Sequence, residues 1–323
     1  MLSLLEVKNL SVHYSTPRGM VKALNGVSLE LEKGESLGLL GESGSGKSTL
    51  AYAIMGILPS NARIIAGEIL FNNNNLLRLS ERELNTIRGK KIALIPQNSM
   101  SALSPVHRIG DQLVDILKNN VGLSKKEALE KIKEKLKIAR LSSNILRMHF
   151  HELSGGMRQR VMIAMSLMMD PEIVIADEPT TGLDVIVQYQ ILRELKSLQK
   201  NLNLSLIVIS HDVSVIAYTC KKVAVLYGGS VFEYGPSVKI FRDSKNPYTS
   251  LLLKSHPDIH SPVEKIVEIP GSPPNMLNPP KGCVFHPRCP FSKTLCKTKQ
   301  PPLIKVGIDH YTRCHFVKEI FGA

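Results

Sequence analysis

The sequence predicts an α/β protein: a mainly parallel sheet buried between helices, with a helical segment inserted in it and a small proline-rich extension after it. Three observations carry this reading. Short β-branched runs alternate with helical segments along most of the chain, the runs vanish between residues 98 and 170, and eleven of the 19 prolines fall from Pro257 onward. The runs are "ESLGLLG" (35–41), "KIALIP" (91–96), "EIVIAD" (172–177), "LSLIVIS" (204–210) and "KVAVLYGG" (222–229). Continuous apolar strands of this kind have both faces covered. In the strandless stretch, Ser124 with Glu127 three residues on is a helix start, and Leu129, Ile132, Leu136 and Ala139 then form one apolar face. The "NNNN" at 72–75 reads as a turn. Prolines break helices and remove ladder donors, which sets a boundary near residue 255. The expected organisation is one domain over 1–255, with a helical subdomain at about 98–170, and an extension over 256–323.

At 323 residues and 43% hydrophobic content the chain can bury a large core. Its start, "MLSLLEVKNLSVHY", places Glu6 and Lys8 where a signal peptide needs an apolar run, so the thiols are expected in a reducing cytosol. Apolar stretches such as "VMIAMSLMM" (161–169) are far shorter than the roughly 20 residues that span a bilayer. The formal charge of +13 suits nucleic acid, an anionic membrane surface or phosphate-bearing ligands. Residues 281–323 hold eight basic and two acidic side chains, so much of the excess sits beside four cysteines. A soluble protein associated with nucleic acid is one class this charge admits. It is disfavoured by the lack of basic motifs interleaved with aromatics and by the complete absence of Trp.

"GESGSGKST", Gly41 to Thr49, fits G-x-x-x-x-G-K-[ST] directly after an apolar strand. Gly41, Gly44 and Gly46 let the backbone wrap a phosphate chain, with Glu42, Ser43 and Ser45 between them. Lys47 supplies a point charge and the Ser48 hydroxyl a ligand for Mg²⁺. "EIVIADEPTTGLD" places Asp177 and Glu178 where a buried strand ends, which suits Mg²⁺ binding by Asp177 and polarisation of a water by Glu178. "LSGGMRQR" (153–160) puts Ser154, Gly155 and Gly156 at a helix start suited to a second phosphate.

The last segment, placed shortly before "ADEPTTGLD", resembles the signature of the ATP-binding cassette (ABC) family. With the phosphate loop, the acidic pair and His211 after "LIVIS", the resemblance covers residues 4 to about 255. It implies a P-loop NTPase cassette, with ATP and Mg²⁺ bound between two cassettes arranged head to tail. Tyr14 would then stack on adenine, Gln97 contact Mg²⁺ and sense a membrane partner, Glu178 act as general base, and His211 orient the γ-phosphate. Ser154, Gly155, Gly156, Gln159 and Asp184 would serve the ATP of the opposite subunit. The segment "PQNSMSALSPVHRIGDQL" is similar to the one by which importer cassettes grip their transmembrane partners, although Asn98 and Ser104 replace the more usual Asp and Asn.

Beyond the cassette, "NPYTSLLLKSHP" and "IPGSPPNMLNPPKGCVFHPRCP" resemble the carboxyl-terminal region of dipeptide and oligopeptide importer ATPases. This implies a subunit on the cytoplasmic face of the membrane. Its partners would be a second ATPase, two transmembrane permeases and, indirectly, an extracytoplasmic solute-binding protein, with no nucleic acid. The implied cargo is a dipeptide or oligopeptide, with an oligosaccharide or nickel, as in some members, the alternative.

Cys283, Cys289, Cys296 and Cys314 are spaced C-x5-C-x6-C-x17-C. Structural zinc sites typically begin C-x2–4-C, which is absent here; four thiolates can still ligate zinc, the longer intervals leave room for a four-cysteine iron–sulfur group, and free thiols are the third alternative. The resemblance to peptide-importer ATPases implies a [4Fe-4S] cluster, hence a metal-bound extension. Cys220 reads as a small core residue, and His286 and His315 as bystanders.

Overall fold

The computed structural model describes residues 3–97, 102–255 and 268–322, and the chain divides into two units, 1–79 with 208–323 and 80–207. The first unit opens with β1 (Leu5–Thr16) and β2 (Gly19–Leu31), an antiparallel hairpin. Leu5, Val7, Leu10 and Val12 of β1 are buried, yet the spacing from Val7 to Leu10 is three residues. Asn9, at φ 47°, is an extra residue that bulges out and restores the apolar face. Gly67 lies opposite, where a Cβ would meet Leu10 Cα at 2.6 Å.

After β3 (Ser36–Leu40), buried throughout, come α1 (Lys47–Met55), β4 (Ala62–Phe71) and β5 (Asn74–Asn75). Asn72 and Asn73 both have positive φ, so the asparagine run is a tight turn that then pairs back on β4. These strands form an antiparallel sheet in the order β2-β1-β4-β5.

The second unit contains α2 (Glu81–Ile87) and β6 (Ile92–Ile95), then α3 (Ile109–Val121) and α4 (Lys125–Ile138). The expected capping box at Ser124 and Glu127 forms. Ile132, Leu136 and Ala139 are buried as expected, but Leu129 is only half-buried and Ala128 takes its place in the core. α5 (Gly155–Ser166), β7 (Ile173–Asp177) and α6 (Val185–Asn201) follow, with β6 and β7 parallel. No strand is present among the described residues between β6 and β7.

β8 (Ser205–Ser210) leads back into the first unit and α7 (Val213–Thr219). β9 (Lys222–Tyr227) runs parallel to β3, and the Gly228–Gly229 turn reverses it into β10 (Ser230–Pro236). α8 (Ser237–Arg242) and α9 (Pro247–Lys254) complete the cassette. In the extension, α10 (Thr294–Thr298) precedes β11 (Ile304–Gly307), β12 (His310–Thr312) and α11 (Val317–Phe321). Residues 303–312 lack proline. This stretch can therefore donate to a ladder, and β12 pairs with β10 while β11 pairs with β12.

Tyr227, Phe232, Tyr248 and Phe285 form one aromatic group, with ring centroids 4.5–6.4 Å apart. Phe285 comes from the extension, so extension and cassette share this part of the core. Cys220 is buried, as expected of a small core residue.

Candidate functional site

In the first unit β3 delivers the chain into the loop of residues 41–46. At Gly41 a Cβ would lie 2.2 Å from the Leu226 carbonyl oxygen of β9, so only glycine lets the loop leave the sheet there. Gly46, at φ 102°, precedes α1 with no side-chain cap, leaving the first N–H groups of that helix for an anion. Lys47 is buried and its Nζ donates to the carbonyls of Gly41 (2.6 Å) and Glu42 (2.9 Å). Ser43 and Gly44 are exposed, Ser45 is buried, and Ser48 and Thr49 are half-buried. Tyr14, on β1, shares a 3.3 Å hydrogen bond between its hydroxyl and Thr49 Oγ1, which brings the ring to the loop. His211 belongs to the same unit and is exposed just after β8.

In the second unit β7 is buried along its whole length and ends on Asp177, which is 1% exposed. Glu178 takes φ 47°, a left-handed backbone unusual for a side chain of this size. Its carboxylate accepts from Gln97 Nε2 at 3.0 Å and from Thr181 Oγ1 at 2.8 Å. Strain of this kind persists where the surroundings over-determine it, commonly at active sites. Ser154 caps α5 by accepting from the Met157 N–H (3.3 Å), and Asp184 caps α6 by accepting from the Val187 N–H (3.0 Å). Both cap residues are exposed. Gly155 and Gly156 lie where a Cβ would meet Leu183 Cδ2 at 3.1 Å and Val187 Cγ1 at 2.7 Å. Gln159 is buried. Asn98 lies outside the described residues, while the backbone N–H and carbonyl of Ser104 are both engaged by the Gln112 side chain.

The four extension cysteines form no disulfide and line one cavity with Phe285, Phe291 and Phe316. Three of them repeat Cys-x-Phe, and in each the thiol accepts the N–H of the phenylalanine two residues on, drawn at 3.4 Å for Cys314. Sequence reading missed this signal, which stands in "CVF", "CPF" and "CHF". Burial pushes Cys283 up to about 12 and Cys289 up to about 11, against the lowering effect of those N–H groups. His286 and His315 each place a ring nitrogen 2.9 Å from a backbone carbonyl, of Cys283 and Lys299 respectively. Among the described residues no three His, Cys, Asp or Glu side chains gather closely enough to hold one metal ion. Four sulfur donors suit an iron–sulfur group and a structural zinc ion alike. Sequence reading also missed Arg288. It lies 246 residues from the loop carboxylate it grips, Glu42.

A family model described as ABC transporter matches residues 24–181, and one described as oligopeptide/dipeptide transporter, C-terminal region, matches residues 232–296. The chain is 46% identical over 300 residues to the oligopeptide transport ATP-binding protein OppD of Salmonella typhimurium, covering 92% of this chain and 89% of that protein. It is 45% identical over 312 residues to the dipeptide transport ATP-binding protein DppD of Lactococcus lactis, covering 96% and 89%. Among solved structures it is similar to a dimeric bacterial ABC transporter cassette, 29% identical with a TM-score of 0.65, covering 72% of this chain and 98% of that one. The same values hold for a dimeric cassette in a post-hydrolysis state bound to ADP and Pi. Two family models matched in order along the chain, and relatives 46% and 45% identical over 92% and 96% of it, show that the chain belongs to the ABC transporter ATP-binding proteins of the oligopeptide/dipeptide family.

Proposed function

We propose that this chain is the ATP-hydrolysing subunit of an importer for dipeptides or oligopeptides, acting as one of two cassettes beneath two permease subunits on the cytoplasmic face of the membrane. A solute-binding protein would supply the cargo from the other side. No described helix is long and apolar enough to cross a membrane, which accords with a peripheral subunit. The observation that carries the catalytic part is Glu178, held in a left-handed backbone beside the buried Asp177 with Gln97 and Thr181 on its carboxylate.

In this reading the loop Gly41–Thr49 and the start of α1 hold the phosphates, with Lys47 at the terminal ones and Tyr14 against the adenine. Ser48, Gln97 and Asp177 are the residues that would hold Mg²⁺, which would neutralise charge on the phosphates. Glu178 takes a proton from the attacking water, and His211 orients the γ-phosphate. Ser154, Gly155, Gly156, Gln159 and Asp184 serve the ATP of the second cassette. Support for that second cassette comes from the apolar turn after Asp184, where Val185 and Ile186 are 80% and 72% exposed. Glu178→Gln is expected to keep ATP binding and to lower turnover by about 10² to 10⁴. Hydrolysis at the parental rate in the assembled transporter would remove Glu178 from the role.

The finer reading of the extension is that Cys283, Cys289, Cys296 and Cys314 hold a [4Fe-4S] cluster, with zinc as the alternative. Such a group supplies folding free energy to a segment with little apolar surface of its own. Neighbouring Lys and Arg side chains offset its negative charge. Affinity purification from membranes separates the transport reading from a nucleic-acid-associated one, since only the former brings permease chains with it. Substrate-dependent ATPase of the assembled complex then separates peptides from oligosaccharides or nickel.

A further inference from the structure

The loop that offers its backbone to a phosphate chain also carries a carboxylate, Glu42. Negative charge beside a polyphosphate site opposes binding unless a cation takes it up. Arg288, from the extension, does so with two parallel hydrogen bonds: Nη1 to Glu42 Oε2 at 2.7 Å and Nη2 to Glu42 Oε1 at 3.0 Å. The guanidinium is itself held in place. Its Nε donates to the Pro270 carbonyl (2.7 Å), Nη1 to the Tyr227 hydroxyl (3.2 Å) and Nη2 to the Ile269 carbonyl (3.4 Å), and the residue is only 7% exposed. Burial alone would lower its pKa, but the bonds to Glu42 and Tyr227 more than offset this and raise it, so the charge is permanent.

The backbone of Glu42 is fixed from the same side. Its N–H donates to the hydroxyl of the fully buried Tyr248 at 3.1 Å, and its carbonyl accepts from Lys47. A small cavity next to the loop is lined by Glu42–Ser45 and by Pro273, Pro274 and Met276 of the extension, so the contact is not confined to one ion pair.

We infer that Arg288 is a positioning residue for ATP binding: it cancels the charge of Glu42 and holds that side chain against the extension, leaving the loop's N–H groups to the phosphates. This role rests on Gly41–Thr49 being the ATP site. A residue that merely anchored the extension would act on stability, and neutralising Glu42 would not compensate for its loss. Charge cancellation makes the opposite claim.

The test titrates the full-length chain with a fluorescent ATP analogue at low salt. Arg288→Gln, which keeps a donor for the Pro270 carbonyl and strands the Glu42 charge, is expected to weaken binding about tenfold. Adding Glu42→Gln is expected to return it to within about threefold of the parent. Parental affinity in the single variant, or a double variant as weak as the single one, overturns the inference. Glu42→Gln alone is expected to bind at least as tightly as the parent, and a clear loss there overturns it without depending on whether the Arg288 variant folds. Lys47→Ala is the control for the site: if it binds like the parent, the assignment of the loop has failed rather than the role of Arg288.

Discussion

Position 156 has no room for a methyl group. An ideal Cβ there would stand 2.7 Å from Val187 Cγ1 on α6, and neither helix can retreat without opening a gap elsewhere. Gly156→Ala is expected to cost about 1–3 kcal/mol in chemical denaturation, and Val187→Ala in the same chain to return part of it. Equal midpoints for Gly156→Ala and the parent would show that the helices yield freely. A charged residue at 156 therefore reports on packing before it reports on any nucleotide, and Ser154, exposed at the helix start, is the cleaner probe of a second cassette. The residues proposed for a phosphate loop were legible in the sequence because that motif needs glycine, lysine and serine at fixed offsets. Arg288 was not, because the demand of Glu42 for a cation says nothing about which of 41 basic residues meets it.

Among the elements, all five apolar runs became strands, within a residue or two of the quoted limits. Burial on both faces leaves such a signal, and it survives without knowledge of neighbours. The antiparallel sheet of β1, β2 and β4 went unread because the bulge at Asn9 breaks the alternation on which recognition depends. Helix α4 was found from its cap and apolar face, but its buried side includes Lys135, which no apolar count admits. Lys135 Nζ lies 2.6 Å from Asp170 Oδ1 and 3.1 Å from Glu134 Oε1. Burial alone would raise the pKa of Asp170, but Lys131 and Lys135 together lower it below its ordinary 3.8. A carboxyl depressed by folding stabilises fully above its unfolded pKa, and the gain is lost as pH falls through the folded one. Asp170→Asn keeps the left-handed backbone, φ 51°. It is expected to cost about 1 kcal/mol at neutral pH, solvent screening included. The difference from the parent should close on acidification, and a gap independent of pH would refute the pairing.

At the scale of the molecule, the extension is joined to the cassette through shared core, shared strands and a shared ion pair. Asn246, which caps α9, also donates to the Phe232 carbonyl, Thr312 Oγ1 and the Arg313 carbonyl. Glu233, fully buried, accepts from the Lys245 N–H and meets His310 Nε2 at 2.7 Å. If the four thiols hold the proposed cluster, protein purified without oxygen should be brown and contain about four iron atoms per chain. Cys289→Ser should bleach it and render the extension protease-sensitive. Colourless protein with one zinc would refute the cluster and keep the staple, and metal-free protein with a protease-resistant extension would remove both. Composition announced a separate, proline-rich tail, but it could not announce that the tail finishes a sheet. The Arg313 N–H and side chain take the carbonyls of Phe232 and Val231, and β12 pairs with Glu233 and Tyr234, so β10 has no bare edge along those residues. The strand left outermost, β11, is four residues long, follows Pro301 and Pro302, and carries the exposed Lys305. Short length, proline and lysine are the features that discourage a strand from recruiting another chain. The extension thus leaves β10 no row of open N–H and carbonyl groups along those residues on which another chain could build a strand.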